Sequence, residues 1–215
     1  MQLNKYIDLT YLKPDSTRQR IKELCTEAIE NDVFSVCIPP YYIPMAAELL
    51  EDHSVKVCTV IGFPYGYDAT PTKAEAVKKA VVEKVDEIDV VVNIAAIKNG
   101  DWSYVANDVD SITRLGHMRN LLVKLIIEVN LLTEDEIKRI CDIAVQKEVD
   151  FIKTSTGTVG DAVTVEDIIL LRSLIAATAK VKASGGIRTR EQAMALIDAG
   201  ADRLGTSNVS SILLP

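Results

Sequence analysis

DFIKTSTG, residues 150–157, is a short apolar strand that leads a lysine into a run of small hydroxyl and glycine residues. A second stretch of this kind, KVKASGGIR at residues 180–188, places Lys182 before a serine and two glycines. Strand ends in α/β proteins face the ligand crevice, so a lysine there is placed to react with a carbonyl group. The two stretches therefore indicate an α/β fold with two lysines, Lys153 and Lys182, at one mouth.

The residues on either side extend this pattern over the whole chain. Short apolar, β-branched runs alternate with longer runs whose apolar residues fall at helical spacing. Strands are predicted over residues 6–9, 34–38, 56–61, 87–93, 122–127, 150–154, 181–184 and 203–206, and helices over 17–31, 45–50, 72–83, 102–115, 134–147, 165–177 and 190–199, with a very short helix at the end. Eight strand–helix units without a hairpin signal predict an α/β fold, a single (β/α)8 TIM barrel over residues 1–215. A doubly wound open sheet is the alternative, although no G-x-G-x-x-G follows the first strand.

The bulk composition limits the class of protein. The chain has 215 residues, 48% hydrophobic and 26% charged, which is ordinary for a globular protein. A net charge of -7 argues against a nucleic-acid partner. The four cysteines show no C-x-x-C pairing, the N-terminus is too polar for a signal peptide, and no apolar run approaches the ~20 residues of a membrane span. We expect a cytoplasmic protein with neither a membrane nor a nucleic-acid partner.

Two lysines and an aspartate carry the predicted chemistry. Neighbouring ammonium groups disfavour each other's charge, which lowers the pKa of one of them and frees an amine nucleophile. The spacing does not decide whether Lys153 or Lys182 attacks. Asp89 lies inside the apolar run EIDVVVN, where a carboxylate is costly unless it meets a cation or relays a proton. It therefore either serves the lysines in catalysis or forms a structural ion pair with one of them.

Small residues after the last two predicted strands indicate an anion site. Ser184, Gly185 and Gly186 follow the seventh strand, and Gly205 and Ser207 lie at the end of the eighth. Barrels commonly bind phosphate at these positions through backbone N–H groups. Turn formation, which also requires glycine, is the alternative explanation.

Other strand ends contribute polar or small residues to the same face of a barrel. Asp8 and Thr10 belong to the first strand, Cys37 to the second and Thr154 to the sixth. Cys37 is expected to line the pocket as a small hydrophobic residue, because no histidine is placed to activate it. With two histidines, both in polar loops, the chain offers no clear set of metal ligands, so a metal site is not expected.

Eight segments together resemble one enzyme family over nearly the full chain: YIDLTYLKPD, SVCIPP, VCTVIGFPYG, DEIDVVVNIAAIKNGD, KLIIEVNLLTEDE, DFIKTSTG, VKASGGIRT and AGADRLGTS. In this order they are similar to the deoxyribose-phosphate aldolases. The resemblance implies a (β/α)8 barrel and a class I aldolase without metal or cofactor. Such an enzyme reversibly cleaves 2-deoxy-D-ribose 5-phosphate to D-glyceraldehyde 3-phosphate and acetaldehyde. It also implies that the partners are phosphorylated sugars and aldehydes, and that the chain forms a homo-oligomer, with a dimer favoured.

The resemblance also implies roles for matching residues. Lys153 would form the Schiff base, Lys182 would perturb the pKa of that nucleophile and take part in proton transfer, and Asp89 would relay protons. Substrate binding would fall to Asp8, Thr10, Cys37, Thr154, Ser184, Gly185, Gly186, Gly205 and Ser207.

Three departures from the family pattern bear on these roles. Leu9 takes the third place of the first motif, and Asn208 follows Ser207 where relatives often carry a small residue, which implies altered phosphate affinity. The sequence ends at Pro215 without a terminal tyrosine, so proton transfer is expected to depend on Asp89, Lys182 and a water. A transaldolase-like Schiff-base enzyme and a non-catalytic sugar-phosphate binding barrel are the alternative functions.

Overall fold

Eight parallel strands close into a barrel in the computed structural model, which describes residues 2–175 and 177–213. The strands are β1 Ile7–Thr10, β2 Ser35–Ile38, β3 Lys56–Ile61, β4 Glu87–Val91, β5 Leu122–Ile126, β6 Phe151–Lys153, β7 Lys180–Ser184 and β8 Arg203–Thr206. Each pairs with the next in sequence, and β8 pairs with β1. The (β/α)8 barrel predicted from the sequence is confirmed.

Helices surround the barrel in the described residues. They are α1 Arg18–Glu30, α2 Ile43–Leu50, α3 Thr70–Val82, α4 Ile94–Lys98, α5 Trp102–His117, α6 Glu134–Gln146, α7 Val165–Ile175, α8 Arg190–Asp198 and α9 Val209–Leu213. Their apolar faces and the outward faces of the strands form one continuous core. No helix in this part of the chain has both the length and the apolar character needed to cross a membrane.

Capping side chains explain where several helices begin. The Thr17 side chain accepts from the Arg20 amide and caps α1, so the prediction from the sequence that Asp15 or Ser16 caps this helix is wrong. Thr133 and Thr189 start α6 and α8 with reciprocal capping boxes. Pro71 stands in the first turn of α3, which begins two residues before the predicted start because proline suits that position.

The largest difference from the predicted elements follows β4. The predicted strand extended to Asn93, but β4 ends at Val91 and the Asn93 side chain caps the unpredicted helix α4. The first strand also lies one residue later than predicted, after a 3-10 turn over Leu3–Tyr6. The predicted helix 165–177 ends at Ile175 in the structure, and Ala176 lies outside the described residues.

Strand register brings the charged residues of the barrel interior next to one another. Asp89 on β4 is the register partner of Lys124 on β5, and Lys153 on β6 is the partner of Lys182 on β7. All four residues are fully buried. Because side chains alternate between the two faces of a strand, register partners face the same side of the sheet. The barrel therefore holds a compact group of opposite charges.

Candidate active site

Asp89 is the centre of the charged group inside the barrel. Its Oδ2 accepts hydrogen bonds of 2.8 Å from both Lys153 Nζ and Lys182 Nζ, and its Oδ1 accepts one of 2.9 Å from Lys124 Nζ. Burial alone would raise the pKa of Asp89, but the charges of the three lysines outweigh it and hold that pKa well below its ordinary value. Asp89 is therefore a carboxylate at neutral pH.

Asp8 is a second buried carboxylate beside Lys182. Asp8 Oδ2 lies 2.5 Å from Lys182 Nζ, and Asp8 Oδ1 accepts from Ser35 Oγ and from Arg203 at 2.7 Å each. Burial would raise the pKa of Asp8, but Lys182, Arg203 and Lys124 together lower it below its ordinary range. Asp8 thus ties the first strand to the cation of the seventh.

Lys182 bridges the two carboxylates. Burial would lower the pKa of its ammonium, whereas Asp8 and Asp89 outweigh burial and raise the pKa above its ordinary value. Lys182 is therefore a fixed cation in the unliganded protein. The expectation that charge repulsion lowers the pKa of one lysine of the pair therefore does not hold for Lys182.

Lys124 was not singled out by sequence reasoning, nor were Glu87 and Arg203. Lys124 Nζ lies 2.6 Å from Glu87 Oε2 as well as 2.9 Å from Asp89 Oδ1. Burial would lower its pKa, but Asp89 raises it well above the ordinary value, helped by Glu87 and Asp8. The available signal was a lysine within the apolar run LVKLI, which parallels the aspartate within EIDVVVN.

A cleft of ≈ 590 Å³ lies beyond the ends of β6, β7 and β8. Its lining includes Thr10, Thr156, Gly157, Thr158, Ser184, Gly185, Gly186, Gly205, Ser207 and Asn208, together with the cations Lys13, Arg20 and Arg188. None of the described residues along this cleft is acidic. A cleft with three cations and many small polar residues suits an anionic ligand.

Backbone geometry in the cleft supports the same interpretation. Gly185 and Gly186 have φ values of 103° and 72°, which L side chains rarely adopt. Within the described part of the chain, the amide N–H groups of Gly185, Gly186 and Ser207 donate to no carbonyl or side chain. They are available to a ligand that presents several acceptor oxygens.

The other predicted binding residues lie around the charged group. Thr154 and Ser184 hold each other, because Thr154 Oγ1 donates to the Ser184 carbonyl and accepts from the Ser184 amide, each at 3.0 Å. Thr10 Oγ1 donates to the Asp8 carbonyl at the rim of the cleft. A side chain at Gly205 would place its Cβ 2.8 Å from Ser184 Oγ and 3.3 Å from Lys182 Cε. Gly205 is thus also needed for close packing over Lys182.

Two of the three departures from the family pattern lie within the described residues. Leu9 is fully buried in the core, away from the charged group. Asn208 lines the cleft, where its amide donates to Thr206 Oγ1. Pro215 and the residue before it lie outside the described residues.

Cys37 lies deeper in the barrel than a pocket-lining residue, beside Asp89. Cys37 and Cys58 with Asp89 are the one group of potential metal ligands found among the described residues, their ligand atoms within 4.8 Å of one another. Three lysine ammonium groups surround the same carboxylate, which disfavours a dication.

The chain is similar to one family of known proteins over nearly its whole length. The sequence profile of the DeoC/LacD family aldolase matches residues 3–209. A deoxyribose-phosphate aldolase of Brevibacillus brevis is 45% identical over 99% of this chain and 96% of its own length. One from Thermococcus gammatolerans is 45% identical over 97% of this chain and 93% of its own.

Solved structures agree with the sequence relatives. The aldolase QR15 superposes with a TM-score of 0.93 at 38% identity, covering 98% of this chain and 93% of that one. A deoxyribose phosphate aldolase of Aeropyrum pernix, described as having a unique tetrameric structure, has a TM-score of 0.92 at 30% identity, covering 98% of this chain and 89% of that one. The similarity thus extends over nearly the whole chain and the whole barrel.

Proposed function

We propose that this chain, which belongs to the DeoC/LacD family of aldolases, reversibly cleaves 2-deoxy-D-ribose 5-phosphate to D-glyceraldehyde 3-phosphate and acetaldehyde. The observation that carries the proposal is the shared contact of Lys153 and Lys182 with one oxygen of Asp89, next to a cationic cleft. The first feature supplies a reactive amine and a proton relay. The second supplies a place for the phosphate.

Lys153 is the proposed nucleophile. Its free amine attacks the C1 aldehyde of the open-chain sugar, and loss of water gives an imine. Once protonated, the imine withdraws electrons, so the C2–C3 bond breaks as the C3 hydroxyl loses its proton. The products are glyceraldehyde 3-phosphate and an enamine on Lys153. Protonation of the enamine at C2 and hydrolysis of the imine release acetaldehyde and restore the amine.

Asp89 and Lys182 are the proposed proton carriers for these steps. Asp89 Oδ2 lies 2.8 Å from the Lys153 Nζ atom on which the imine forms, so a proton leaving the amine or the carbinolamine has a base within reach. Lys182 contacts the same oxygen and is a cation, so it can return a proton to that carboxylate or to a bound water. Both side chains are fully buried, which strengthens their electrostatic effect.

The phosphate is proposed to bind in the cleft at the ends of β7 and β8. The free N–H groups of Gly185, Gly186 and Ser207 would donate to its oxygens, with Arg188 supplying charge at the rim. Ser184 links this cleft to the reacting centre, because it is hydrogen-bonded to Thr154, the residue that follows Lys153. Thr10 would bound the sugar at the rim of the cleft, and Cys37 would bound it deeper in the barrel, beside Asp89.

Product analysis tests this proposal directly. The purified protein should convert 2-deoxyribose 5-phosphate into acetaldehyde and glyceraldehyde 3-phosphate in equal amounts, and should act far more slowly on unphosphorylated 2-deoxyribose. Release of a dihydroxyacetone unit from a ketose phosphate instead would favour a transaldolase-like enzyme. Binding of the sugar phosphate without either product would favour a non-catalytic barrel.

Assembly and compartment complete the proposal. We propose that residues 1–215 act as one domain and form a homo-oligomer, with a dimer favoured. The tetrameric relative from Aeropyrum pernix supports assembly but not the dimer in particular. Light scattering after gel filtration measures the assembly directly. All four cysteines are free and buried, which fits the reducing cytoplasm in which we propose the protein acts.

A further inference from the structure

Two cysteines lie side by side inside the barrel. Cys37 on β2 and Cys58 on β3 are register partners, and both are fully buried. Neighbouring strands are about 4.8 Å apart, within the Cα separation of roughly 4.4–6.8 Å that a disulfide tolerates. The two sulfur atoms already lie within 4.8 Å of each other. The strand register and this sulfur separation are the geometric basis for a disulfide between the two residues.

The pair is joined to the catalytic charges. Cys58 Sγ lies 3.2 Å from Asp89 Oδ1 and 3.3 Å from Lys124 Nζ, while Cys37 Sγ lies 3.8 Å from Asp89 Oδ2. Leu12, Val60 and Phe63 pack around the thiols and form a small cluster separate from the main core. The thiols therefore face the reaction chamber and not the helix–barrel interface.

The two thiols differ in acidity. A hydrogen bond with the Cys58 thiol, together with the charges of Lys182 and Lys153, lowers the pKa of Cys37 despite the opposing effects of burial and Asp89. Burial, the neighbouring Cys37 and Asp89 raise the pKa of Cys58 well above its ordinary value. An acidic thiol beside a less acidic one is the arrangement in which the first reacts and the second resolves.

We propose that Cys37 and Cys58 are an oxidation site, and that a peroxide converts them into an intramolecular disulfide that inactivates the neighbouring Asp89 centre. The Cys37 thiolate attacks one peroxide oxygen and the O–O bond breaks. The departing hydroxide takes up the proton that the Cys37 thiol had released, which leaves a sulfenic acid and one water. The Cys58 sulfur then displaces the sulfenic hydroxyl, which leaves as a second water with the thiol proton. Two thiols and one hydrogen peroxide thus give one disulfide and two waters.

Access to the thiols follows the route of the substrate. Lys153 is as fully buried as the two cysteines, yet it is the group that the proposed sugar has to reach. An opening that admits a sugar phosphate also admits a peroxide, which is much smaller. The effect of oxidation on turnover rests on the proposed function, whereas formation of the disulfide does not.

Loss of activity follows from the contacts that the disulfide removes. Oxidised Cys58 can no longer donate to Asp89 Oδ1, and its sulfur moves toward β2, away from Lys124. Asp89 would then adjust its carboxylate, which also carries the contacts to Lys153 and Lys182. Small displacements of such a group reduce turnover strongly because proton transfer depends on its position.

The other two cysteines provide matched controls. Cys25 lies on α1 and Cys141 on α6, both buried outside the barrel interior. Burial raises the pKa of Cys25 to about 11, and burial with the nearby Asp142 raises that of Cys141 to about 12. We expect neither to react, so Cys25→Ser and Cys141→Ser should oxidise as the unaltered protein does.

Mass spectrometry of peroxide-treated protein tests the proposal. The full chain is treated with graded hydrogen peroxide in the presence of a chelator, which removes adventitious metal, and is then denatured and alkylated. Digestion with trypsin and a glutamate-specific protease separates Cys25 from Cys37 by cleavage at Glu27 and Glu30. We expect the protein to lose the mass of two hydrogen atoms and to yield a Cys37–Cys58 cross-linked peptide, absent from Cys37→Ser and from Cys58→Ser.

Turnover measured on the same samples tests the inactivation. Activity should fall in proportion to the cross-linked fraction and return with dithiothreitol. Three results would overturn the proposal: oxygen addition to single cysteines without a cross-link, a cross-link that survives in Cys58→Ser, or full cross-linking with unchanged turnover. A cross-linked protein whose reduced form never cleaved the sugar would instead overturn the proposed function.

Discussion

Lys153 and Lys182 donate to the same atom, Oδ2 of Asp89, and the Nζ atom of each lies 2.8 Å from it. One carboxylate oxygen therefore connects the proposed nucleophile with a second lysine, which is a cation in the unliganded protein. Lys182 also lies 2.5 Å from Asp8, which fixes it on the side of the chamber nearest β1. The arrangement explains how two lysines with the same neighbour can serve different functions.

Lys182→Leu should lower kcat by about 10²-fold, the scale of a lost proton-transfer group. It should also move the pH–rate profile toward higher pH, since one positive charge that opposes protonation of the neighbouring amine is gone. Activity measured from pH 5 to pH 10 checks both effects. A lower rate with an unchanged profile would restrict Lys182 to proton transfer.

Lys124→Met should lower kcat roughly 10- to 100-fold with little change in KM, because a charge-assisted hydrogen bond that holds Asp89 is worth about 1.5–3 kcal/mol. Lys124 touches Asp89 and Glu87 but does not line the cleft, so it acts as a positioning residue. Lys56→Met, at the exposed start of β3, is the matched control and should leave kcat unchanged. A rise in KM by the same factor as the fall in kcat would instead indicate a wider loss of structure.

Arg188→Gln should raise KM for the phosphorylated sugar by about tenfold and leave kcat nearly unchanged, because it removes an interaction made equally in ground and transition states. Its activity toward unphosphorylated 2-deoxyribose should equal that of the unaltered protein. Arg119→Gln, which alters an exposed arginine in the loop before β5, controls for net charge. Equal losses on both sugars would contradict a phosphate role.

Acid should destabilise the protein through Asp8 and Asp89. Both have a folded-state pKa below the ordinary value of 3.8, so their contribution to the free energy of unfolding is complete above that value and is lost as the pH falls. Urea unfolding should show stability decreasing below about pH 4. The slope should be shallower in Asp8→Asn and unchanged in Asp52→Asn, which alters an exposed aspartate. If the free energy of unfolding fell as steeply with pH in Asp8→Asn as in the unaltered protein, the assignment of this acid sensitivity to Asp8 would be wrong.

Much of the fold was predictable because the repeated strand–helix units of a parallel barrel give the sequence a regular pattern of apolar residues. The outward face of each strand and one face of each helix are apolar, so all eight units were visible. Helix α4 was missed because its five residues, IAAIK, are mostly apolar and follow β4 after only Val92 and Asn93. Its start depends on the Asn93 cap, a single hydrogen bond to the Ala96 amide.

The site was predictable at the strand ends and less so within the strands. Lys153 and Lys182 stand out because they precede small, turn-forming residues. Lys124 lies in mid-strand, and its interior position follows only from its register with Asp89. Glu87 and Arg203 sit at the starts of their strands, where charged residues usually meet solvent, yet both are nearly fully buried. Their place in the buried charged group is apparent only in the closed barrel.

Trapping of the imine tests the central claim most directly. The protein is incubated with 2-deoxyribose 5-phosphate and borohydride, and the adduct is located by peptide mapping, in which modification blocks tryptic cleavage at the modified lysine. We expect one adduct, on Lys153. Lys153→Ala should form none and lose at least about 10³-fold in turnover, while Lys180→Ala, which alters the exposed first residue of β7, should behave as the unaltered protein does. An adduct on Lys182, or turnover without any adduct, would contradict the account.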